Sequence, residues 1–131
     1  SDAENPMMLT ACEWLDVFID QQGQIRRGDQ KNGYWELDVA QAGRYEFELR
    51  RWPREADLPL GAGYNGEGAL PIRQARLFIN RNMTIQPVKP SDKAATFTVT
   101  LPKGQARLHT WFAESRTNPI CGAYYVYVKR L

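Results

Sequence analysis

The sequence has few of the residues that most enzymes use for chemistry. It contains two cysteines and one histidine among 131 residues. Neither cysteine lies in a C-x-x-C pair, and two cysteines do not form a zinc cluster unaided. Cys12 and Cys121 lie near the two ends of the chain, where a bridge between terminal strands is one interpretation. Two buried free thiols are the favoured alternative.

The single histidine gives little support for catalysis. If Leu108 and Phe112 point inward from their strand, His109 points outward, which favours a surface or groove histidine over a general base. No G-x-S-x-G nucleophile motif occurs. Residues 28–33 lack the carboxylates that a calcium loop needs and are interpreted as a polar turn. We therefore predict no catalytic, cofactor-binding or metal-binding residue in this chain.

Long apolar runs and a strong charge of one sign are also missing. No run of about 18 apolar residues is present, so no membrane span is predicted. The net charge of +2 is too balanced to indicate a nucleic-acid partner. The first residues form neither a basic nor an apolar leader segment. We expect residues 1–7 to be a flexible start, and the abrupt beginning indicates a piece cut from something longer.

What the sequence does have is a two-residue alternation of apolar and polar side chains. In residues 95–101, for example, Phe97, Val99 and Leu101 alternate with threonines, which is typical of a half-buried strand. The strand-like runs are 14–19, 34–39, 44–51, 75–79, 83–88, 95–101, 105–112 and 123–128. About eight short strands and no sustained helical periodicity predict an all-β fold. We expect one domain over residues 1–131, an antiparallel β-sandwich resembling a jelly roll.

The connectors carry two further predictions. Gln41-Ala42-Gly43 is a turn signal and predicts a hairpin between the strands on either side of it. Residues 52–71 form the longest irregular stretch and include a glycine-rich loop at 61–68. A connection of this length is functional or mobile in most compact domains, and the sequence leaves its role open.

The tryptophans suggest where the core lies. Trp35 and Trp111 lie in strands with apolar neighbours, so both are expected in the core. Trp52 follows a strand end between Arg51 and Arg54. A cap on the core edge, with an arginine stacked on the indole, is favoured over a contact surface for Trp52.

A series of motifs resembles a known family. Residues 43–55 read G-x-Y-E-F-E-L-R-R-W-P-R-E, which resembles the hallmark of the C-terminal region of bacterial arylsulfatase-type sulfatases. Further segments resemble the same region in order and with compatible spacing. They are residues 24–28, 32–35, 69–77, 110–112 and 122–131. The resemblance covers roughly residues 8 to 131.

The resemblance implies secreted or periplasmic enzymes that hydrolyse sulfate esters, often on glycans. In these enzymes a large N-terminal α/β domain carries the chemistry, with an acidic calcium site and a C/S-x-P/A-x-R motif whose first residue becomes formylglycine. The sequence following Cys12 and Cys121 does not match that motif. The resemblance is therefore to the non-catalytic end, and it assigns no active-site residue here.

Three functions are consistent with these observations. The first is a non-catalytic accessory domain that packs on the catalytic sulfatase domain of the same chain and shapes its substrate cleft. The second is a free-standing carbohydrate-binding module for sulfated glycans, because the chain combines tryptophan and arginine on a predicted sandwich. The third is a structural domain of an unrelated surface protein. The candidate residues for a domain or glycan contact are Arg50, Arg51, Trp52, Arg54 and Glu55.

Overall fold

The computed structural model describes residues 16–19, 25–31, 34–62, 70–121 and 125–131. Of residues 16–19, 25–31, 118 and 121, only the backbone is described. Cys12, residues 1–7 and most of the glycine-rich loop lie outside this part of the chain. The predictions of a flexible start, of the cysteine pairing and of the loop's role therefore stay predictions.

The described chain is built from strands. They are β1 (Asp16–Ile19), β2 (Ile25–Lys31), β3 (Tyr34–Val39), β4 (Gly43–Arg50), β5 (Gln74–Ile79), β6 (Asn82–Pro87), β7 (Ala95–Leu101), β8 (Gly104–Ser115), β9 (Asn118–Cys121) and β10 (Tyr125–Arg130). A single 3₁₀ turn at Arg54–Ala56 is the one helical element in the described residues. The predicted all-β class with little helix is confirmed, with ten strands where about eight were expected.

The strands form two sheets. The first sheet has the order β1-β10-β4-β7, and the second has the order β2-β3-β8-β5-β6 with β9 paired to β8. All neighbours are antiparallel except β1 and β10, which run parallel. From β3 to β10 the chain passes repeatedly between the sheets, so that β3-β8-β5-β6 faces β10-β4-β7. This alternation is the strand order of a jelly roll.

The hairpin predicted at residues 41–43 is wrong. β3 pairs with β2 and β8 in the second sheet, whereas β4 pairs with β10 and β7 in the first. The turn therefore carries the chain from one sheet to the other. The hydroxyl of the buried Tyr45 donates a hydrogen bond of 2.6 Å to the carbonyl of Gln41, which fixes this crossing.

The polar turn predicted at residues 28–33 is also partly wrong. Residues 28–31 continue strand β2, and its pairing with β3 shifts register between Arg27 and Gln30. Such a shift is a β-bulge, which places an extra residue in one strand. The glycine and polar residues of this segment therefore mark a bulge, and residues 32–33 lie outside the described chain.

The core lies between the two sheets. Every second residue of β4 is buried, and the inward residues of β3, β5 and β8 face them. Trp35, Phe47 and Phe112 are at most 1% exposed and belong to one continuous apolar cluster, to which both sheets contribute residues. Truncating a buried phenylalanine of this kind to alanine costs about 3–5 kcal/mol. This single shared core is what makes the two sheets a sandwich.

Strands β5 and β6 are joined by a tight hairpin. Asn80 and Arg81 lie between them with φ of 50° and 69°, in the left-handed region. Positive φ at both central residues is the pattern of a type I′ turn, whose twist matches that of the flanking strands. The hairpin therefore projects Asn80 and Arg81 from one end of the second sheet. No helix in the described ranges has the length and apolar character needed to cross a membrane.

Candidate functional site

The predicted contact residues form a corner where β4 ends. Pro53 follows β4 in an extended conformation and directly precedes the 3₁₀ turn, which begins at Arg54. Asp57 then adopts φ of 55° and donates its backbone N–H to the carbonyl of Arg54, which closes the turn. Arg50, Arg51, Trp52, Arg54 and Glu55 are thus brought together, but their environments differ.

Arg51 supports the corner from inside. Its side chain is buried, and the guanidinium donates hydrogen bonds to the carbonyls of Leu60 and Ala62 at 2.9 and 2.7 Å. The same guanidinium lies 5.2 Å from the centre of the Trp52 ring. The expected stacking of an arginine on this indole is therefore present. Arg51 holds the irregular segment against the sandwich and presents little surface of its own.

Arg54 ties the corner to the neighbouring strand β10. Its guanidinium donates two hydrogen bonds, at 2.9 and 3.2 Å, to the two carboxylate oxygens of Glu48. It also lies 4.1 Å from the centre of the Tyr127 ring, and its backbone N–H donates to the Tyr127 hydroxyl at 2.9 Å. Arg50 donates to the same carboxylate of Glu48. The Glu48 carboxylate thus accepts hydrogen bonds from two arginines.

The electrostatics of the corner follow from this arrangement. Burial by itself would raise the pKa of Glu48, but the hydrogen bonds and charges of Arg54 and Arg50 outweigh it, so that the pKa lies below its usual value. Burial raises the pKa of the Tyr127 hydroxyl. The corner is therefore a salt-linked structure at neutral pH.

The rim of the corner is exposed. Arg54 keeps 46% of its side chain in solvent, and Glu55 is exposed beside it. Leu58, 38% exposed, is one of four large apolar side chains that face solvent in the described residues. Trp52 is half-buried, with the Arg51 guanidinium over its ring. Of the five predicted contact residues, Arg54 and Glu55 present the most surface.

The segment after the corner is packed onto the loop between β6 and β7. The N–H of Leu60 donates to the carbonyl of Asp92 at 2.7 Å, and that of Gly61 donates to the carbonyl of Pro90 at 2.8 Å. A Cβ on Gly61 would lie 2.7 Å from the Cβ of Pro90, closer than two carbon atoms pack. Glycine is therefore required here for close approach, and the rim has a fixed backbone beneath it.

A second cluster, on the outer face of the second sheet, was not predicted as a site. It consists of Tyr34, Phe78, His109 and Trp111, each half-buried. The ring centres of Tyr34 and Trp111 both lie 5.3 Å from that of His109, and Phe78 meets His109 edge to face at 6.0 Å. Burial lowers the pKa of His109. We call these four residues the outer aromatic cluster.

The prediction that Trp111 lies in the core is wrong. Leu108 and Phe112 of β8 are fully buried, so the alternation of the strand directs Trp111 and His109 to the other face. The outward direction predicted for His109 is confirmed by the same alternation. The alternation of β8, followed from Leu108 and Phe112, places Trp111 outward, whereas its apolar neighbours in the sequence led to the wrong expectation of a core position.

A groove adjoins the outer aromatic cluster at the end of the sheet that carries the β5–β6 hairpin. It has a volume of about 530 Å³ and is lined by Phe78, Asn80, Arg81, Gln105 and Arg107. The guanidinium of Arg107 also lies 4.9 Å from the centre of the Tyr34 ring. Two guanidinium groups and two side-chain amides therefore surround a space that opens beside aromatic rings.

The described residues contain no group of three or more histidine, cysteine, aspartate or glutamate side chains placed to hold a metal ion. Comparison with family models, with curated proteins and with solved structures finds no match to this chain. The family resemblance therefore rests on the quoted motifs alone.

Proposed function

We propose that this chain is a non-catalytic accessory domain of an arylsulfatase-type sulfatase, and that it docks on the catalytic domain through the rim of the corner. The observation that carries the proposal is the position of the hallmark segment. Its buried Arg51 holds the corner rigid, and its last two residues, Arg54 and Glu55, are exposed. The apolar Leu58, three residues beyond the segment, completes the exposed rim. A rigid, mixed apolar and charged rim suits a contact between domains of one chain.

The corner suits domain docking better than sugar binding. A sugar stacks on an open aromatic face, whereas the Arg51 guanidinium lies over the Trp52 ring at 5.2 Å. That arginine is buried and bonded to two carbonyls, so this face of Trp52 is not open to a sugar. Glycan binding, the alternative function, is therefore not assigned to the corner.

The parentage is tested by the coding sequence that precedes this chain. We expect it to encode a large α/β domain with a C/S-x-P/A-x-R motif, and the longer protein to hydrolyse an aryl sulfate ester. The 131-residue chain alone should show no turnover. A preceding region without the motif, or turnover by the purified chain, would overturn the proposal.

The docking surface is tested by a matched pair of substitutions in the longer protein. Leu58 and Ile85 are 38% and 47% exposed, so Leu58→Glu and Ile85→Glu place the same new charge at the rim and on the edge strand β6. Leu58→Glu should lower the thermal unfolding temperature of the longer protein and leave that of the isolated chain unchanged. Ile85→Glu should change neither. Equal effects of Leu58→Glu on both proteins would contradict docking at the rim.

A further inference from the structure

The outer aromatic cluster is continuous across three strands. The outward residue of β3, Tyr34, lies beside His109 of β8, and His109 is the register partner of Phe78 on β5. Trp111 extends the row along β8 and is nearly parallel to the His109 ring, with 25° between the planes. The rings keep part of their surface in solvent. They form a platform that a flat, partly apolar molecule contacts well.

The groove supplies charge to one end of this platform. Its five lining residues include Arg81 and Arg107 but no carboxylate. Arginine binds sulfate and carboxylate groups through paired N–H donors, and the amides of Asn80 and Gln105 add neutral donors and acceptors. A ligand that fits both the groove and the platform has an anionic group at one end. Its other end consists of saturated rings whose C–H faces contact the aromatic side chains.

We propose that the outer face of the second sheet binds an anionic saccharide, with its sulfate or carboxylate in the groove between Arg81 and Arg107 and its rings along the outer aromatic cluster. From Arg107 to Trp111 the strand extends about 13 Å, at about 3.3 Å per residue, which accommodates two or three sugar rings. The groove volume of about 530 Å³ is within the range of small-ligand sites, about 300–1,000 Å³.

A saccharide fits this face better than a nucleic acid, although single-stranded nucleic acids also stack on aromatic rings. Glu36 is the register partner of Arg107, so an acidic residue adjoins the groove on the β3 side. A nucleic-acid backbone is followed by a continuous basic strip, whereas this groove has two arginines beside an acidic residue and the chain carries a net charge of only +2.

Calorimetry on the 131-residue chain tests the site. The probes are a chondroitin 4-sulfate hexasaccharide, the neutral cellohexaose and a single-stranded thymidine decamer. We expect the sulfated hexasaccharide to bind with a dissociation constant of about 1 mM or lower and cellohexaose at least about tenfold more weakly. No binding of the sulfated probe at about 10 mM, or stronger binding of either other probe, would overturn the proposal.

Four variants locate the binding. Arg107→Gln removes a groove charge, and Trp111→Ala removes part of the platform. Each should weaken binding of the sulfated hexasaccharide at least about tenfold. Trp111→Phe keeps an aromatic ring and should retain most of the affinity, which separates a lost platform from a lost fold. Arg44→Gln removes an exposed arginine from the other sheet and should leave binding unchanged. Equal affinity in Trp111→Ala or Arg107→Gln would place the ligand elsewhere and overturn this site.

This inference is independent of the sulfatase parentage. Saccharide binding by the isolated chain does not require a catalytic domain. Docking at the rim involves residues that follow β4 of the first sheet, whereas the saccharide site lies on the outer face of the second sheet. Failure of the calorimetric test would therefore leave the docking proposal intact, and failure of docking would leave the saccharide site intact.

Discussion

At the scale of single residues, Glu48 decides how the corner is held. Its side chain is 14% exposed and bonds both Arg50 and Arg54, whereas Glu46, two residues earlier on the same face, is 26% exposed and lies 3.6 Å from Lys129. A partly buried carboxylate with two charged donors contributes more to stability than an open ion pair. Glu46 is therefore a suitable control position for a substitution of Glu48.

Glu48→Gln should lower the free energy of unfolding by about 1–2 kcal/mol, because charge-assisted hydrogen bonds to Arg54 and Arg50 become neutral ones. Glu46→Gln should cost less than about 0.5 kcal/mol, in the lower half of the range for exposed ion pairs. Urea unfolding of both variants measures the difference. Equal losses would mean that the Glu48 network contributes no more than an ordinary surface ion pair.

At the scale of elements, the β5–β6 hairpin combines a strained backbone with a residue of the proposed saccharide site. Arg81 has φ of 69°, a conformation that glycine adopts without steric cost and an arginine does not. Arg81 is also one of the two guanidinium groups of the groove. A residue kept in an unfavourable conformation at a binding site is a known compromise between stability and function.

Arg81→Gly creates the Asn-Gly sequence that type I′ hairpins favour, and should raise the free energy of unfolding by about 0.5–1 kcal/mol. The same substitution should weaken binding of the chondroitin 4-sulfate hexasaccharide. Thermal unfolding and calorimetry on one variant give both results. Lower stability in Arg81→Gly would show that the arginine side chain supports the hairpin instead of straining it.

The strands also show what the sequence was able to predict. The inward phases of β3, β5 and β8 follow from Trp35, Leu77 and Leu108, and they place Tyr34, Phe78 and His109 on outward positions. The same phase places Trp111 outward as well, although its apolar neighbours led to the wrong expectation of a core position. The alternation does not indicate which strands are neighbours in a sheet. The order β3-β8-β5 brings these rings together.

The same limit explains the other errors. A turn signal at residues 41–43 indicates that the chain changes direction, but it does not specify whether the next strand joins the same sheet or the opposite one. Strand β2 was missed because its polar residues and bulge conceal the two-residue period. The corner was identified as a structural unit through Trp52, whereas the inward use of Arg51 depends on Leu60 and Ala62, which no local pattern connects to it.

At the scale of the whole molecule, pH should change stability through His109. In the folded chain, burial lowers the pKa of His109 below its usual value of 6.5. The unfolded chain therefore takes up a proton at a higher pH than the folded chain does. Stability is therefore complete above pH 6.5 and declines as pH falls through this value. The pKa of Glu48 is also lowered in the fold, so stability declines further as the pH falls below about 4.5, the usual pKa of a glutamate.

Urea unfolding at pH 7.5 and 5.5 checks this expectation, both values chosen to lie about one unit from the usual histidine pKa. The wild-type chain should be less stable at pH 5.5, and His109→Gln should reduce the difference. Glu48→Gln should leave the difference unchanged, since its carboxylate stays ionised over this interval. A difference equal in the wild type and in His109→Gln would assign the acid sensitivity to another group.

Hydrogen exchange tests the docking of this domain most directly. It is measured on the 131-residue chain alone and on the same residues within the longer protein, with the edge strand β6 as the internal reference. We expect the backbone amides of residues 54–58 to exchange at least about tenfold more slowly in the longer protein, while those of β6 exchange equally in both. Equal exchange at residues 54–58 in the two proteins would contradict docking.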